Sequence, residues 1–406
     1  MIDVIQPDSE QVIVEVVAAA SAAGRPIEIV GHGSKSGFGR PVSAQTRLVL
    51  AGLSGITDYE PGELVLTARA GTPLAEIDGR LAQNRQTLAF EPRELSALFG
   101  TTVGQTLGGV VAAGIPGPRR CVGGGVRDHV LGVRAVNGRG QLFKAGGKVV
   151  KNVTGYDLCK LFTGSFGTLA VLTEITIKIL PAAETETTVV ISGLTAAAAV
   201  SLMSEALGSA ANPSAAAWLP AGLTTGTTLA GIAAGSATCL RLEGFGPSVQ
   251  ARCQRLLDRS AGGPDATVLG NEASVTLWRR LRDVRPFHDR PGQAVWKISL
   301  RPSDAPALLD RLTALGPVDA FLDWGGALIW VSAPCGADAH ARNLRTALPP
   351  GAHATLVVAP EPVRAAQAVF QPLPAAVSAL EARVKASFDP QGILNPGRMA
   401  AVLSAD

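Results

Sequence analysis

Lys148–Pro181 reads KVVKNVTGYDLCKLFTGSFGTLAVLTEITIKILP, and its grammar decides the fold. A turn at Gly155-Tyr156-Asp157 leads through Lys160 to a loop of small residues, Gly164-Ser165-Phe166-Gly167-Thr168. An alternating pattern from Leu169 to Leu180 then predicts a strand. Such a loop lets main-chain N–H groups come close to a bound ligand, which a side chain beyond Cβ would block. Asp157 suits the N-cap of the short helix that follows, and a buried Tyr156 would need a partner for its hydroxyl.

Outward from this stretch, the composition sets the class. Of 406 residues, 47% are hydrophobic and 17% charged, which describes a packed globular chain with room for two or three domains. Its 46 glycines and 27 prolines are about 18% of the residues, against an average near 12%. That excess lies in short loops between apolar runs, so it marks turns and ligand-hugging backbone. The net charge of +3 is spread thinly, with no Lys/Arg cluster interleaved with aromatics, so nucleic-acid binding has no support. Five separated cysteines (Cys121, Cys159, Cys239, Cys253, Cys335) contain no CxxC, which argues against a metal or iron–sulfur site and for a reducing, cytoplasmic setting. Asp3, Asp8, Glu10 and Glu15 spoil a signal peptide. Ala206–Leu240 carries no charge, but Pro213, Pro220 and the Thr224–Thr228 run predict a loop with a buried strand instead of a membrane span.

Helical spacing covers residues 9–23, followed by a strand at Ile27–Val30 and further strands at Thr46–Ala51 and Leu64–Arg69. Residues 73–83 read as a helix N-capped by Thr72. Val130–Val136 and Gln141–Lys144 form a hairpin around Asn137-Gly138-Arg139-Gly140. Beyond Pro181, strands and helices alternate (187–191, 196–207, 239–243, 249–261, 275–285, 294–300, 305–315, 327–332, 339–348), a succession expected of two ferredoxin-like halves. Phe388–Met399 contains too much Pro and Gly for a regular helix.

Two glycine-rich stretches complete the motif set. GHGSKSGFGRP (Gly31–Pro41) follows a strand, but Pro41 and the spacing of Gly31, Gly33, Gly37 and Gly39 allow no helix to grow from it, which excludes a Rossmann loop. It reads either as an anion-binding nest with Ser34 and Lys35 at its centre or as a tight turn. Thr106-Leu107-Gly108-Gly109-Val110-Val111-Ala112-Ala113-Gly114 supplies a small-residue surface, suited either to a flat ligand or to close helix–sheet packing.

In this order, those stretches together with Gly117-Pro118-Arg119-Arg120, Gly123–Gly132 (GGGVRDHVLG) and Leu394-Asn395-Pro396-Gly397 resemble the FAD-binding domain of the vanillyl-alcohol oxidase / p-cresol methylhydroxylase family. Within it, they are similar to the smaller FAD-binding subunit of bacterial glycolate oxidase. The resemblance spans essentially the whole chain, dense over residues 92–181 and 388–399 and thin between. It implies an α+β protein: a two-subdomain FAD-binding domain of the p-cresol methylhydroxylase type (1–182), an α+β, ferredoxin-like cap domain (183–386), and a C-terminal segment returning to the first domain (387–406). The FAD contacts it implies are Gly31, His32, Gly33, Ser34, Lys35, Gly37, Thr106, Leu107, Gly108, Gly109, Gly114, Arg119, Arg120, Asp128, Gly164, Gly167, Thr168, Val171 and Asn395. Arg119 and Arg120 suit an anionic substrate or the charge of a reduced flavin, and equally a solvated surface. His32 lies one place from where some members of the family bond the flavin covalently, so the FAD is expected to be noncovalent.

Related 2-hydroxy-acid dehydrogenases place a histidine-rich metal and substrate site in the cap. Here His288, His340 and His353 are far apart, leaving no metal ligand set and no identified catalytic base; His129 and His288 are the histidines to test. The resemblance therefore implies a chain that works beside a larger FAD-binding subunit and an iron–sulfur subunit, with glycolate meeting the complex through the partner. Two alternatives stand beside it: a self-sufficient 2-hydroxy-acid dehydrogenase, and a scaffold with weak flavin or none. The location expected is cytoplasmic, with peripheral association at the inner membrane through the complex.

Overall fold

The computed structural model describes residues 2–148, 155–225, 235–260, 265–288 and 290–400. The chain divides into two compact units. Unit 1 is Met1–Pro116, Gly124–Pro181 and Pro372–Asp406, and unit 2 is Gly117–Gly123 with Ala182–Gln371. Two edges differ from the expected 1–182, 183–386 and 387–406 division. The return begins at Pro372 because helix Ala375–Phe388 packs Val384 and Phe388 on the core of unit 1. Gly117–Gly123 belongs to unit 2 because the Trp324 indole donates to the Gly117 carbonyl (2.9 Å) and Arg119 pairs with Glu243 (3.5 Å).

Unit 1 contains two sheets. Strands β1 (Asp3–Ile5), β2 (Ile27–Val30) and β3 (Thr46–Val49) are parallel, in the order β1-β3-β2. Helix Glu10–Ala23 covers them with Ile13, Val17 and Ala20; of the face expected from spacing (Val12, Val16, Val17, Ala20), Val17 and Ala20 are buried, while Val12 and Val16 sit at its edge. Strands β4 (Ile56–Glu60), β5 (Val65–Arg69), β7 (Val130–Asn137), β8 (Leu142–Gly146) and β9 (Ala170–Lys178) form an antiparallel sheet, order β4-β5-β9-β7-β8. The short pair β6 (Gln86–Thr87) and β10 (Leu180–Pro181) stands beside it. The alternation that predicts β9 breaks once: the register with β7 shifts between Arg134 and Ala135, opposite Leu172–Glu174. That bulge lets Ala170, Leu172, Ile175 and Ile177 share one core while Val171 turns to the other, under helix Glu10–Ala23. Glu10, at the start of that helix, ties it to the antiparallel sheet, accepting from Arg134 on β7 (2.9 Å) and Thr173 on β9 (2.6 Å); Arg134 holds its carboxyl below the usual range.

Helix Leu74–Ala82 begins at Pro73, and Thr72 does not cap it. The Thr72 hydroxyl donates to the Arg69 carbonyl (2.7 Å) and accepts from Gly55 N–H (3.0 Å), so it locks the turn after β5 instead.

Unit 2 is one eight-stranded sheet of β11 (Thr185–Ser192), β12 (Ala215–Leu219), β13 (Ala237–Gly244), β14 (Ala266–Leu269), β15 (Gln293–Ser299), β16 (Asp319–Asp323), β17 (Leu328–Pro334) and β18 (His353–Val358). Its order is β14-β11-β13-β12-β16-β17-β15-β18, antiparallel throughout. Each half repeats strand-helix-strand-strand-helix-strand in spatial order 4-1-3-2, so the expected ferredoxin-like halves are present, joined at β12 and β16 through the Trp218–Leu322 pair. Helices Ala196–Leu207, Gly246–Ser260, Ala305–Ala314 and Ala341–Ala347 cover one face and build its core. On β11, Thr188 lies opposite that face, hydrogen-bonded to Ser274 (2.6 Å) and to the Trp278 indole (2.8 Å) of helix Asn271–Arg282. The uncharged stretch 206–240 contains the fully buried β12, as expected of a strand in mid-sheet; its residues 226–234 lie outside the described residues. Trp278 and Trp330 are core residues and not an exposed patch. Among the described residues, no helix is long and apolar enough to cross a membrane.

Candidate cofactor site

The site is a cleft in unit 1 where β2, the loop after it, helix Leu107–Ala113, the loop 164–168 and Asn395 meet. Its walls include Ile29, Gly31, Thr106, Gly109, Ala112, Phe166 and Asn395. Three segments distant in sequence are held together by backbone chemistry. Ile27 N–H donates to Ile393 (2.8 Å) and Asn395 N–H returns to Ile27 (3.0 Å), so the C-terminal segment joins β2 through a single parallel bridge, Ile27 to Leu394. Asn395 accepts from Ile29 N–H (2.7 Å) and donates to the Phe166 carbonyl (2.7 Å), which staples β2 to the 164–168 loop. That loop binds the helix through Gly164 N–H to Val111 (3.0 Å) and Phe166 N–H to Ala112 (2.9 Å). The buried Asp389 carboxylate fixes the returning segment by accepting from Ile393 N–H (3.1 Å), Leu394 N–H (2.8 Å) and Lys385 (2.5 Å).

The loop Gly31–Gly39 is not helical. Gly33 (φ 84°) and Gly39 (φ 87°) adopt left-handed conformations that L side chains resist. Ser36 and Phe38 N–H close tight turns on Gly33 and Lys35. The amides of His32, Gly33, Ser34 and Lys35 donate to no acceptor among the described residues. Four free donors in succession make an anion-binding concavity. Lys35 stands beside them, donating to Gln105 (2.5 Å). Burial pulls its ammonium down to about 8, against the opposing charge of Glu94. An ammonium kept so short of water favours an anionic neighbour. Arg398 adds a second cation, donating to the Ser36 (3.4 Å) and Arg40 (3.2 Å) carbonyls.

The helix N-terminus plays no such part. Its amides are used inside the protein: Leu107 N–H donates to Thr72 (3.0 Å), Gly108 N–H to Ala70 (2.8 Å) and Gly109 N–H to the Thr106 hydroxyl (3.2 Å). The adjacent glycines Gly108 and Gly109 differ in purpose. A Cβ on Gly108 would lie 2.8 Å from the Ala70 Cβ, so that residue is needed for packing on the end of β5. A Cβ on Gly109 meets only the Thr106 hydroxyl, at 3.2 Å, and Gly109 lines the cleft. A Cβ on Gly31 would stand 2.2 Å from that same hydroxyl.

Ten of the residues expected at the cofactor line this cleft: Gly31, His32, Gly33, Ser34, Lys35, Thr106, Gly108, Gly109, Gly167 and Asn395. Others support it from behind. Gly37 packs on Phe99, Gly114 (φ 63°) on Gly164, and Leu107 is core. The Thr168 hydroxyl donates to Ser165 (2.7 Å). Val171 lies buried under helix Glu10–Ala23. The Asp128 carboxylate accepts from Gly125 N–H (2.7 Å), closing its own turn. Arg119 and Arg120 belong to unit 2, on Glu243 and against Trp324 respectively. Sequence reasoning missed Phe166 as a wall and Arg398 as a cation; Arg398 directly follows the quoted Leu394–Gly397 motif, inside Phe388–Met399, and was legible there.

Tyr156 is 93% exposed, so its hydroxyl needs no buried partner. Asp157 caps helix Leu158–Phe162 by accepting from Lys160 N–H (3.2 Å), as expected; residues 149–154 of the opening stretch lie outside the described residues. His32 binds the Gly104 carbonyl (3.1 Å). Of the two histidines considered as bases, His129 is buried beside Phe90 (5.5 Å between rings) and His288 contacts the Asp283 carbonyl (2.9 Å). Both sit in packing roles.

Comparison with known proteins agrees with this geometry. Residues 3–146 match a family model described as an FAD binding domain. The chain is 38% identical over 398 residues to glycolate oxidase subunit GlcE of Escherichia coli K12, covering 98% of this chain and 99% of that one. It is 30% identical over 186 residues to glycolate oxidase subunit GlcD of Bacillus subtilis, 46% of this chain and 38% of that protein. Among solved structures, a 4-ethylphenol oxidase from Gulosibacter chungangensis shares the fold with TM-score 0.74 at 13% identity, over 98% of this chain and 88% of that one. With the cleft, its free amides and a match running end to end, the chain belongs to the GlcE family of glycolate oxidase subunits, FAD-dependent oxidoreductases built on an FAD-binding domain.

Proposed function

We propose that this chain carries one noncovalent FAD as a subunit of a multi-subunit assembly that oxidises glycolate to glyoxylate. The observation that supports it is the anion loop: four consecutive free amides at His32–Lys35, flanked by a desolvated Lys35, in a chain similar throughout to GlcE. When bound, FAD supplies the two-electron acceptor that no side chain provides. The protein's part is to hold and orient it. In this reading the His32–Lys35 amides, Lys35 and Arg398 neutralise the diphosphate, and Gly31, Gly109 and Gly167 leave room for a flat ring system against backbone. Asn395 acts by positioning, because its amide is committed to Ile29 and Phe166. The proposed partners are a larger FAD-binding subunit and an iron–sulfur subunit, and any membrane association would come through them.

The test is a visible spectrum of the purified chain, followed by glycolate under anaerobic conditions. Bound flavin that stays oxidised supports an electron-carrying or accessory role. Bleaching by glycolate makes the chain a self-sufficient dehydrogenase. A colourless protein that also fails to take up added FAD overturns the proposal.

A further inference from the structure

Gln105, which immediately precedes helix Leu107–Ala113 and its N-cap Thr106, is 4% exposed. Its backbone is fixed on both sides: its carbonyl accepts from Leu74 N–H (2.9 Å), and Thr106 forms a β-bridge with Pro73. Its side-chain oxygen accepts from the Lys35 ammonium (2.5 Å), across 70 residues of sequence. An amide takes that bond without supplying a charge. Lys35 forms no ion pair among the described residues, so its ammonium is held by a neutral group.

The surroundings of that ammonium are electropositive. The four amides of His32–Lys35 donate to nothing in the protein, and their dipoles add to the local positive field. His32 on the same loop and Arg398 from the C-terminal return line the same cleft. Glu94 opposes them through space, while its Oε1 accepts from Ser96 N–H (3.0 Å). Burial outweighs Glu94 and pulls the ammonium down to about 8. The protein alone thus keeps this charge only weakly near neutral pH, and an anion on the loop reverses the balance by favouring the charged form.

We propose that Gln105 and Lys35 work as a unit: the neutral amide aims the ammonium at the anion loop, and Lys35 takes up a proton when the diphosphate of FAD binds there. Gln105 is a positioning residue, acting on the cofactor only through Lys35. Its neutrality is what the coupling requires, because a carboxylate in its place would satisfy the ammonium before any ligand arrived. The ligand named here rests on the FAD reading above. The sign is fixed by linkage: a group that gains affinity for its proton on binding makes the ligand bind less tightly as pH rises through the value of the unliganded protein.

The experiment is calorimetric titration of the flavin-stripped full chain with FAD at pH 7, 8 and 9, each in two buffers of different ionisation heat. Wild type should take up about 0.1, 0.5 and 0.9 proton per FAD at those pH values, and its affinity should fall about tenfold from pH 7 to 9. Lys35→Arg should bind FAD with an affinity that is flat over this range, and Lys35→Met more weakly and equally flat. Gln105→Met, which lacks the acceptor, should lose about tenfold at pH 7. Gln105→Glu should bind more weakly at pH 7 and take up no proton, because its carboxylate already holds the ammonium charged. Thermal midpoints of the flavin-free samples establish that each variant is folded. A pH-independent wild type, or proton uptake that persists in Lys35→Met, overturns the coupling and leaves FAD binding standing. Proton uptake in folded Gln105→Glu equal to that of wild type overturns the role given to Gln105. Wild type that takes up no FAD at any of these pH values overturns the cofactor reading itself.

Discussion

Replacing Asn395 by alanine tests whether the cleft is stapled as described. Asn395 is 2% exposed, with φ 41°. Its side chain accepts from Ile29 N–H and donates to the Phe166 carbonyl, both at 2.7 Å. Removing it leaves one donor and one acceptor without their partners, at about 1–3 kcal/mol each when buried. Both Ile29 and Phe166 line the cleft, where water can enter, so the lower end applies and the two together cost about 2 kcal/mol. Alanine in the left-handed region adds about 1 kcal/mol more. The expected loss is therefore about 3 kcal/mol, a large part of an ordinary folding free energy. Asn395→Gly separates the terms, because glycine removes the hydrogen bonds but not the left-handed ease. The assay is urea unfolding followed by tryptophan fluorescence, with flavin retention measured in parallel. Because two units need not unfold together, the transition assigned to unit 1 is the one shifted by added FAD. If Asn395→Ala lies within about 0.5 kcal/mol of wild type and keeps full FAD, the staple is not what joins β2 to the 164–168 loop.

Three further outcomes follow from the same geometry. Gly108→Ala should destabilise unit 1 by about 1–3 kcal/mol through overpacking on Ala70, whereas Gly109→Ala should leave the thermal midpoint nearly unchanged and weaken FAD binding; equal effects would contradict the division of labour between the two glycines. Lys35→Met should weaken FAD binding yet stabilise the flavin-free protein at neutral pH. The sign follows because the folded ammonium titrates near 8, below its unfolded value of 10.5: the penalty of keeping it charged is complete below pH 8 and fades as pH rises toward 10.5, so the gap between variant and wild type should close over that range in pH-dependent unfolding. Asp389→Ala removes the Lys385 ammonium's carboxylate partner, leaving it only the Thr168 and Leu394 carbonyls, and strands two backbone N–H groups; it should cost about 3 kcal/mol and loosen the C-terminal return, read as faster proteolysis after Phe388.

The order of residues alone was enough to place the elements and name the class of ligand. Periodicity placed helix Glu10–Ala23 and strand β9 nearly to the residue, because one face of each must be apolar and spacing alone reports it. The order of strands and helices beyond Pro181 likewise announced two ferredoxin-like halves. Glycines at Gly31, Gly33 and Gly109 marked where backbone must stay uncovered, and their order carried the family. What spacing could not convey was which partner each group meets. Thr72 looked like a cap and became a turn lock, since a hydroxyl serves whichever backbone group the fold brings near. Gly108 and Gly109 are indistinguishable as letters; only the nearness of Ala70 makes one structural and leaves the other facing the cleft. Arg119 and Arg120 are identical neighbours, yet Glu243 claims the first and Trp324 carries the second. Local preference is written in nearest neighbours along the chain, whereas a side chain's role is fixed by whichever groups, near or far in sequence, tertiary packing brings within contact.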